Sequence, residues 1–137
     1  MKALFTITLL IAFASSAIAS KEGILAFSRF RLESAGIGTS GKVVVEGNQD
    51  ANGQITALTI SAFAKEYVVP KDKLAKLAEL HSNGIRISYE QGYPELGGRT
   101  IFIQLQMGFT SLTRMEAVVS LSENGKIEVS NIQKNND

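Results

Sequence analysis

Asn48, Asp50 and Asn52 stand at alternate positions of the stretch GNQDANGQI, with Gly53 directly after them. That spacing offers three side-chain oxygens and a glycine, the opening of a calcium loop of the EF-hand type. Such a loop closes with a bidentate glutamate at its twelfth position, and counting from Asn48 that position is Thr59. Only Asp50 among the candidate ligands is charged, too little to compensate the dehydration of a divalent cation. The flanks read as strands, and Asn52-Gly53 is a hairpin dipeptide, so a structural turn with no metal is expected here.

A second pattern, GIGTSGKV, places Gly36, Gly41 and Lys42 at the spacing of a phosphate-binding loop. That motif also needs Ser or Thr after the lysine and a helix whose N-terminus faces the phosphates. Val43 follows instead, and KVVVE reads as a strand. The segment is expected to be a glycine loop, with no nucleotide cofactor.

General acid-base and nucleophilic chemistry have few candidates. His81 is the single histidine, there is no cysteine, and no G-x-S-x-G elbow occurs. His81 falls on the apolar stripe of a helical pattern, where a packing or capping role is expected. Glu90 and Glu95 could pair only if the fold made them converge in a cleft. No catalytic residue, metal ligand or cofactor-binding residue is therefore assigned, and the chain reads as a non-enzyme.

Binding is the remaining chemistry, and EQGYPELGGRT carries it. The connection between two well-patterned strands there exceeds the usual two to five residues of a hairpin loop. It presents Tyr93, Leu96 and Arg99 among turn formers. Tyrosine and arginine are enriched at interface hot spots, and long loops on rigid scaffolds carry recognition. These three are the candidate partner-binding residues; the alternative is that Tyr93 and Leu96 fold back as a cap on the core.

The chain opens with Lys2, an apolar run from Ala3 to Ala14, and Ser15-Ser16-Ala17-Ile18-Ala19. This is the layout of a secretory signal peptide, with small residues at the two positions a signal peptidase inspects. The run is shorter than the roughly 20 residues of a spanning helix. Residues 1–19 are read as the leader and 20–137 as one domain, exported to the periplasm or secreted, with no stable membrane insertion after cleavage. The 14 Lys and Arg include Lys2, so the processed chain carries as many basic residues as its 13 Asp and Glu. A neutral chain with scattered charges offers no footprint for nucleic acid. The densest basic group, Lys71, Lys73 and Lys76, is interleaved with Asp72 and Glu79 and reads as a solvated helix face. With no disulfide available, stability rests on a core burying somewhat over roughly 60% of the unfolded surface.

The elements that must position these residues are mostly strands. Phe30 and Leu32 alternate with Arg29, Arg31 and Glu33, and Lys42 to Glu46 forms a valine-rich strand. From Ile55 to Val69 the pattern changes phase near Ser61-Ala62, which suggests a bulge. Pro70 opens a helix, PKDKLAKLAELHSNG, ended by Asn83-Gly84. Alternation returns in Ile85, Ile87 and Tyr89, then Ile101 to Met107, Ala117 to Leu121, and Ile127 with Val129, the last two runs joined by a tight Asn124-Gly125 turn. The tail Lys134 to Asp137 is expected to fray. The order implies an α+β domain, a curved antiparallel β-sheet of about six or seven strands packed on a single α-helix; a β-sandwich with a capping helix is the competing architecture.

Three functions fit this outline. The first is a small binding or interaction module of the bacterial envelope, an inhibitor or accessory subunit whose partner is another envelope or extracellular protein met through loops 35–41 and 91–99. The second is a carrier of a small apolar ligand, suggested by Phe30, Phe63, Phe102, Met107 and Phe109. A small hydrolase is the third and least supported.

Overall fold

The computed structural model describes residues 27–36, 41–92, 98–108 and 113–136; the leader assigned to 1–19 and the residues Tyr93, Glu95, Leu96 and Phe109 lie outside them. The described chain is mostly β. β1 (Arg29–Glu33), β2 (Val44–Gln49), β3 (Ile55–Ala62) and β4 (Lys65–Val68) form an antiparallel meander. A short helix, α1 (Lys71–Leu74), follows. β5 (Gly84–Glu90), β6 (Thr100–Met107), β7 (Thr113–Ser122), β8 (Ile127–Val129) and β9 (Gln133–Asn136) form a second antiparallel sheet, in which β8 and β9 both pair with β7. The α+β character and antiparallel pairing are as expected; among the described residues the hydrogen bonds form two sheets, of four and five strands, where the sequence pattern suggested one curved sheet. The division falls at residues 69–83, where α1 and its turn separate β4 from β5. One buried cluster nevertheless takes side chains from both sheets and the helix, including Val45, Leu58, Ile60, Leu77, Ile103 and Val119.

The period-two reading holds where strands are central. Ile101, Ile103 and Leu105 of β6 and Val119 and Leu121 of β7 are fully buried, while their neighbours in sequence are half-exposed. The phase change near Ser61-Ala62 has a different cause from the expected bulge. Phe63 and Ala64 form a two-residue hairpin at φ 53° and 60°, and the chain reverses there. Left-handed backbone is disfavoured for both residue types; Phe63 offsets the strain by packing against the core cluster. Ala64 is exposed and has no such offset. Ala64→Gly is expected to raise stability by about 1 kcal/mol in denaturant melts; an unchanged midpoint would show that the turn carries no strain.

Both Asn-Gly turns differ from the expected two-residue form, because only the glycines have positive φ, Gly53 at 76° and Gly125 at 89°. Gly53 N–H donates to Asp50 C=O at 2.9 Å and Asp50 N–H to Gln54 C=O at 3.0 Å; Gly125 N–H donates to Ser122 C=O at 2.8 Å and Ser122 N–H to Lys126 C=O at 2.9 Å. Each is a three-residue loop whose last residue needs a left-handed backbone, so one glycine suffices.

The helix is shorter than its sequence pattern. After Leu74 the chain tightens into a 3-10 turn over Ala75–Leu77, and Leu80 N–H donates to Leu77 C=O at 3.0 Å. Three residues per turn bring Leu74, Leu77 and Leu80 to one buried face. His81 is thereby rotated off that face and exposed, beside Gly53, and does not pack in the core as expected. The C-terminal tail is ordered as β9, pairing Gln133–Asn136 with Thr113–Glu116, and Asn135 Nδ2 donates to Glu116 Oε1 at 3.0 Å. Among the described residues no helix is long and apolar enough to cross a membrane.

Candidate functional site

The segment considered for calcium is a hairpin turn between β2 and β3. Asp50 Oδ1 accepts the N–H groups of Asn52 at 2.8 Å and Gln54 at 3.0 Å, so the carboxylate is engaged by the backbone of its own turn. Of the glycine-rich segment, residues 37–40 lie outside the described residues; Gly41 and Lys42 lead into β2, with Val43 buried and Lys42 in an ion pair with Glu33 on β1. A strand follows Lys42, where a phosphate-binding loop needs a helix. Glu90 is exposed at the end of β5.

Of the three candidate partner-binding residues, Arg99 is described. It sits at the root of the 91–99 loop, where Gly98 has φ 79°. Its guanidinium forms an ion pair with Glu123 of the β7–β8 turn, with Nε 2.9 Å from Glu123 Oε2, and Glu123 N–H donates to Arg99 C=O at 2.8 Å. The same guanidinium lies 5.5 Å from the centre of the Phe63 ring, in the β3–β4 turn of the other sheet. Arg99 thus joins three turns at one end of the molecule, and 26% of its side chain remains exposed. The hydrogen bond from Arg99 holds the Glu123 carboxyl below the usual carboxylate range, and the bond to Glu123 raises the arginine in turn. This geometry makes Arg99 a positioning residue for the loop root.

A different group of side chains converges on the outer face of the five-stranded sheet. Phe102 of β6 and Val118 and Ser120 of β7 have the opposite parity to the core residues and point away from it. With Glu128 of β8 and with Lys73 and Lys76 they line an open groove of about 450 Å³. α1 lies along the edge of β8, Lys73 Nζ donates to Ile127 C=O, and Lys76 Nζ donates to Val129 C=O at 3.3 Å. The two ammonium groups cover carbonyls of an edge strand and bring positive charge to the groove wall. Each ammonium has three N–H donors, so neither is saturated by one carbonyl. Glu128 pairs with Lys126 at 2.7 Å; that bond first, and then the fields of Lys73 and Lys76, hold its carboxyl below the usual range. Three lysines around one carboxylate leave the groove net positive, with an aromatic floor and the Ser120 hydroxyl beside it.

Smaller grooves of about 340 and 280 Å³ also border the helix, the first beside Asp50, Lys71 and Leu74, the second beside Lys76, Glu79 and Ile132. Neither combines an aromatic floor with paired cations. Among the described residues no three His, Cys, Asp or Glu side chains cluster as metal ligands would. In comparison with protein families, curated proteins and solved structures, the chain matches none.

Proposed function

We propose that this protein is a small exported binding module of the envelope, not an enzyme, and that it holds an anionic group carried on an apolar or aromatic moiety, such as an acidic and aromatic segment of an envelope protein. The observation that carries the reading is the convergence of Lys73, Lys76 and Phe102 on one groove of the outer sheet face. A carboxylate placed there meets two ammonium donors, while its apolar part covers Phe102 and Val118 and removes them from water. The 91–99 loop, fixed at its root by Arg99 and Glu123, is a second surface through which an inhibitor or accessory subunit would meet the same partner. Export rests on the leader pattern ending at Ala19, and an intact mass beginning at Ser20 tests it. The two sheets around one cluster, with α1 along an edge, favour a sandwich over the single curved sheet. Carriage of a small apolar ligand has less support, since Phe102 faces outward into a groove with a charged wall.

The test uses N-acetylphenylalanine and its neutral amide as probes in NMR titrations of the processed chain. The acid is expected to shift amides of Phe102, Val118, Ser120 and Val129, and the amide to shift them far less. Lys73→Met with Lys76→Met is expected to weaken the acid by about tenfold or more, a loss of about 1.4 kcal/mol or more. Glu128→Gln is expected to strengthen it, because a competing carboxylate is removed. Equal shifts from acid and amide, or no response to Glu128→Gln, would remove the anion from the proposal.

A further inference from the structure

We infer that β5 is a dimerisation edge, pairing antiparallel with β5 of a second copy about a two-fold axis at Ser88, so that two five-stranded sheets become one of ten. β5 ends its sheet, bonded only to β6 through an uninterrupted register from Gly84 opposite Gln106 to Glu90 opposite Thr100. Its outer backbone has no hydrogen-bond partner among the described residues. Seven residues is long for an unprotected edge, and the sequence GIRISYE contains no proline and no lysine.

The other edges contrast with it. β8 is covered by Lys73 and Lys76, β4 and β9 have four residues each and carry Lys65 and Lys134, and on β1 Arg31 and Glu33 are held in ion pairs with each other and with Glu46 and Lys42. β5 also leaves apolar surface uncovered. Ile85, Ile87 and Tyr89 face the core side but are only half-buried, whereas their partners Leu105, Ile103 and Ile101 on β6 are fully buried. A strand added outside β5 would cover that remainder.

The register names the partner as this same chain. With Ser88 opposite Ser88 of the second copy, Arg86 lies opposite Glu90 of the second copy, and symmetry makes that pair twice on the outer face. Ile87 then lies opposite Tyr89 of the second copy on the inner face, an aliphatic-aromatic pair of the kind that stabilises sheets. Arg86 and Glu90 are exposed and join no ion pair among the described residues. Other in-phase registers lose this match. Centring on Arg86 or on Glu90 sets like charges against each other, and centring on Ile87 or Tyr89 leaves Arg86 and Glu90 opposite uncharged residues. An isologous contact of this kind closes at two subunits and does not propagate.

Sedimentation of the processed chain over a dilution series is expected to show a monomer-dimer equilibrium. Arg86→Glu or Glu90→Arg alone places like charges opposite and is expected to shift the chain to monomer, while the double swap Arg86→Glu with Glu90→Arg restores the dimer. Because the chain has no cysteine, Ser88→Cys supplies one thiol per copy. It is expected to give a disulfide-linked dimer on mild oxidation, whereas Lys65→Cys on the β4 edge does not. A monomer at every concentration overturns the inference, as does a dimer indifferent to both single charge reversals or a Ser88→Cys variant that cross-links no better than the control.

Discussion

Gln49→Leu is expected to cost about 3 kcal/mol of stability, although leucine is close to glutamine in size. Gln49 is 6% exposed and its amide joins the two halves of the fold. Its Nε2 donates to Phe27 C=O at 2.7 Å and Ser82 C=O at 2.9 Å, and its Oε1 accepts Ser82 N–H at 2.9 Å. Ser82 is fully buried between α1 and β5, so its N–H has no access to water once the amide is gone. A buried unpaired backbone group costs about 1 to 3 kcal/mol, and two carbonyls lose a donor at the same time. Ser82 C=O keeps the Phe27 N–H at 3.1 Å, and Phe27 is exposed, so those losses are smaller. Gln49→Glu is expected to lose a similar amount at neutral pH, because a carboxylate accepts but cannot donate, and to recover part of it in acid, where the protonated carboxyl donates again. Denaturant melts of both variants at neutral and acid pH measure this; a Gln49→Leu midpoint within about 0.5 kcal/mol of the parent would show that the amide network carries no weight.

Gln49 also marks the limit of what the sequence made legible. Strand phase is local, so the inward sets Ile101, Ile103, Leu105 and Ala117, Val119, Leu121 could be read directly. Nothing local announces that a glutamine at the polar end of β2 will be buried by a segment 33 residues later. The helix is shorter than its sequence pattern for a related reason. Leu74, Leu77 and Ala78 fit an α-helical stripe, but Leu74, Leu77 and Leu80 fit the tighter 3-10 turn, and packing against both sheets decides between them. Division into two sheets depends on hydrogen bonds that β4 and β5 do not make, and a strand pattern cannot express those.

The groove was partly legible. Phe102 has even parity beside Ile101 and Ile103, so it could have been separated from the core set by phase alone. Lys73 and Lys76 have the sequence pattern of a solvated helix face, and their contact with Ile127 and Val129 across more than 50 residues is a tertiary fact. Arg99 is singled out in the sequence by type and loop position. Its attachment to Glu123 and Phe63 follows from turns that meet only once both sheets are assembled.

Gly47→Ala is expected to destabilise the domain by roughly 2 to 3 kcal/mol, more than a glycine-to-alanine change in a strand would suggest. Alanine ordinarily favours a strand over glycine by restricting the unfolded chain, so the effect should reverse sign if the site had room. It has none. Gly47 lies directly opposite Phe30 across the β1–β2 ladder, and a Cβ added there would be 2.1 Å from Phe30 Cζ. The ring lies over the glycine and is 7% exposed, with the Phe27 ring centre 6.3 Å away. Relieving the clash requires Phe30 to leave its place in the core, which opens apolar surface in β1. A double-mutant cycle separates the clash from other causes. Phe30→Ala alone is expected to cost roughly 3 to 5 kcal/mol, and adding Gly47→Ala to it should cost nothing further, since the methyl group then enters the space the ring has left. Additive losses in the double variant, or a Gly47→Ala protein as stable as the parent, would show that Phe30 does not rest on the glycine.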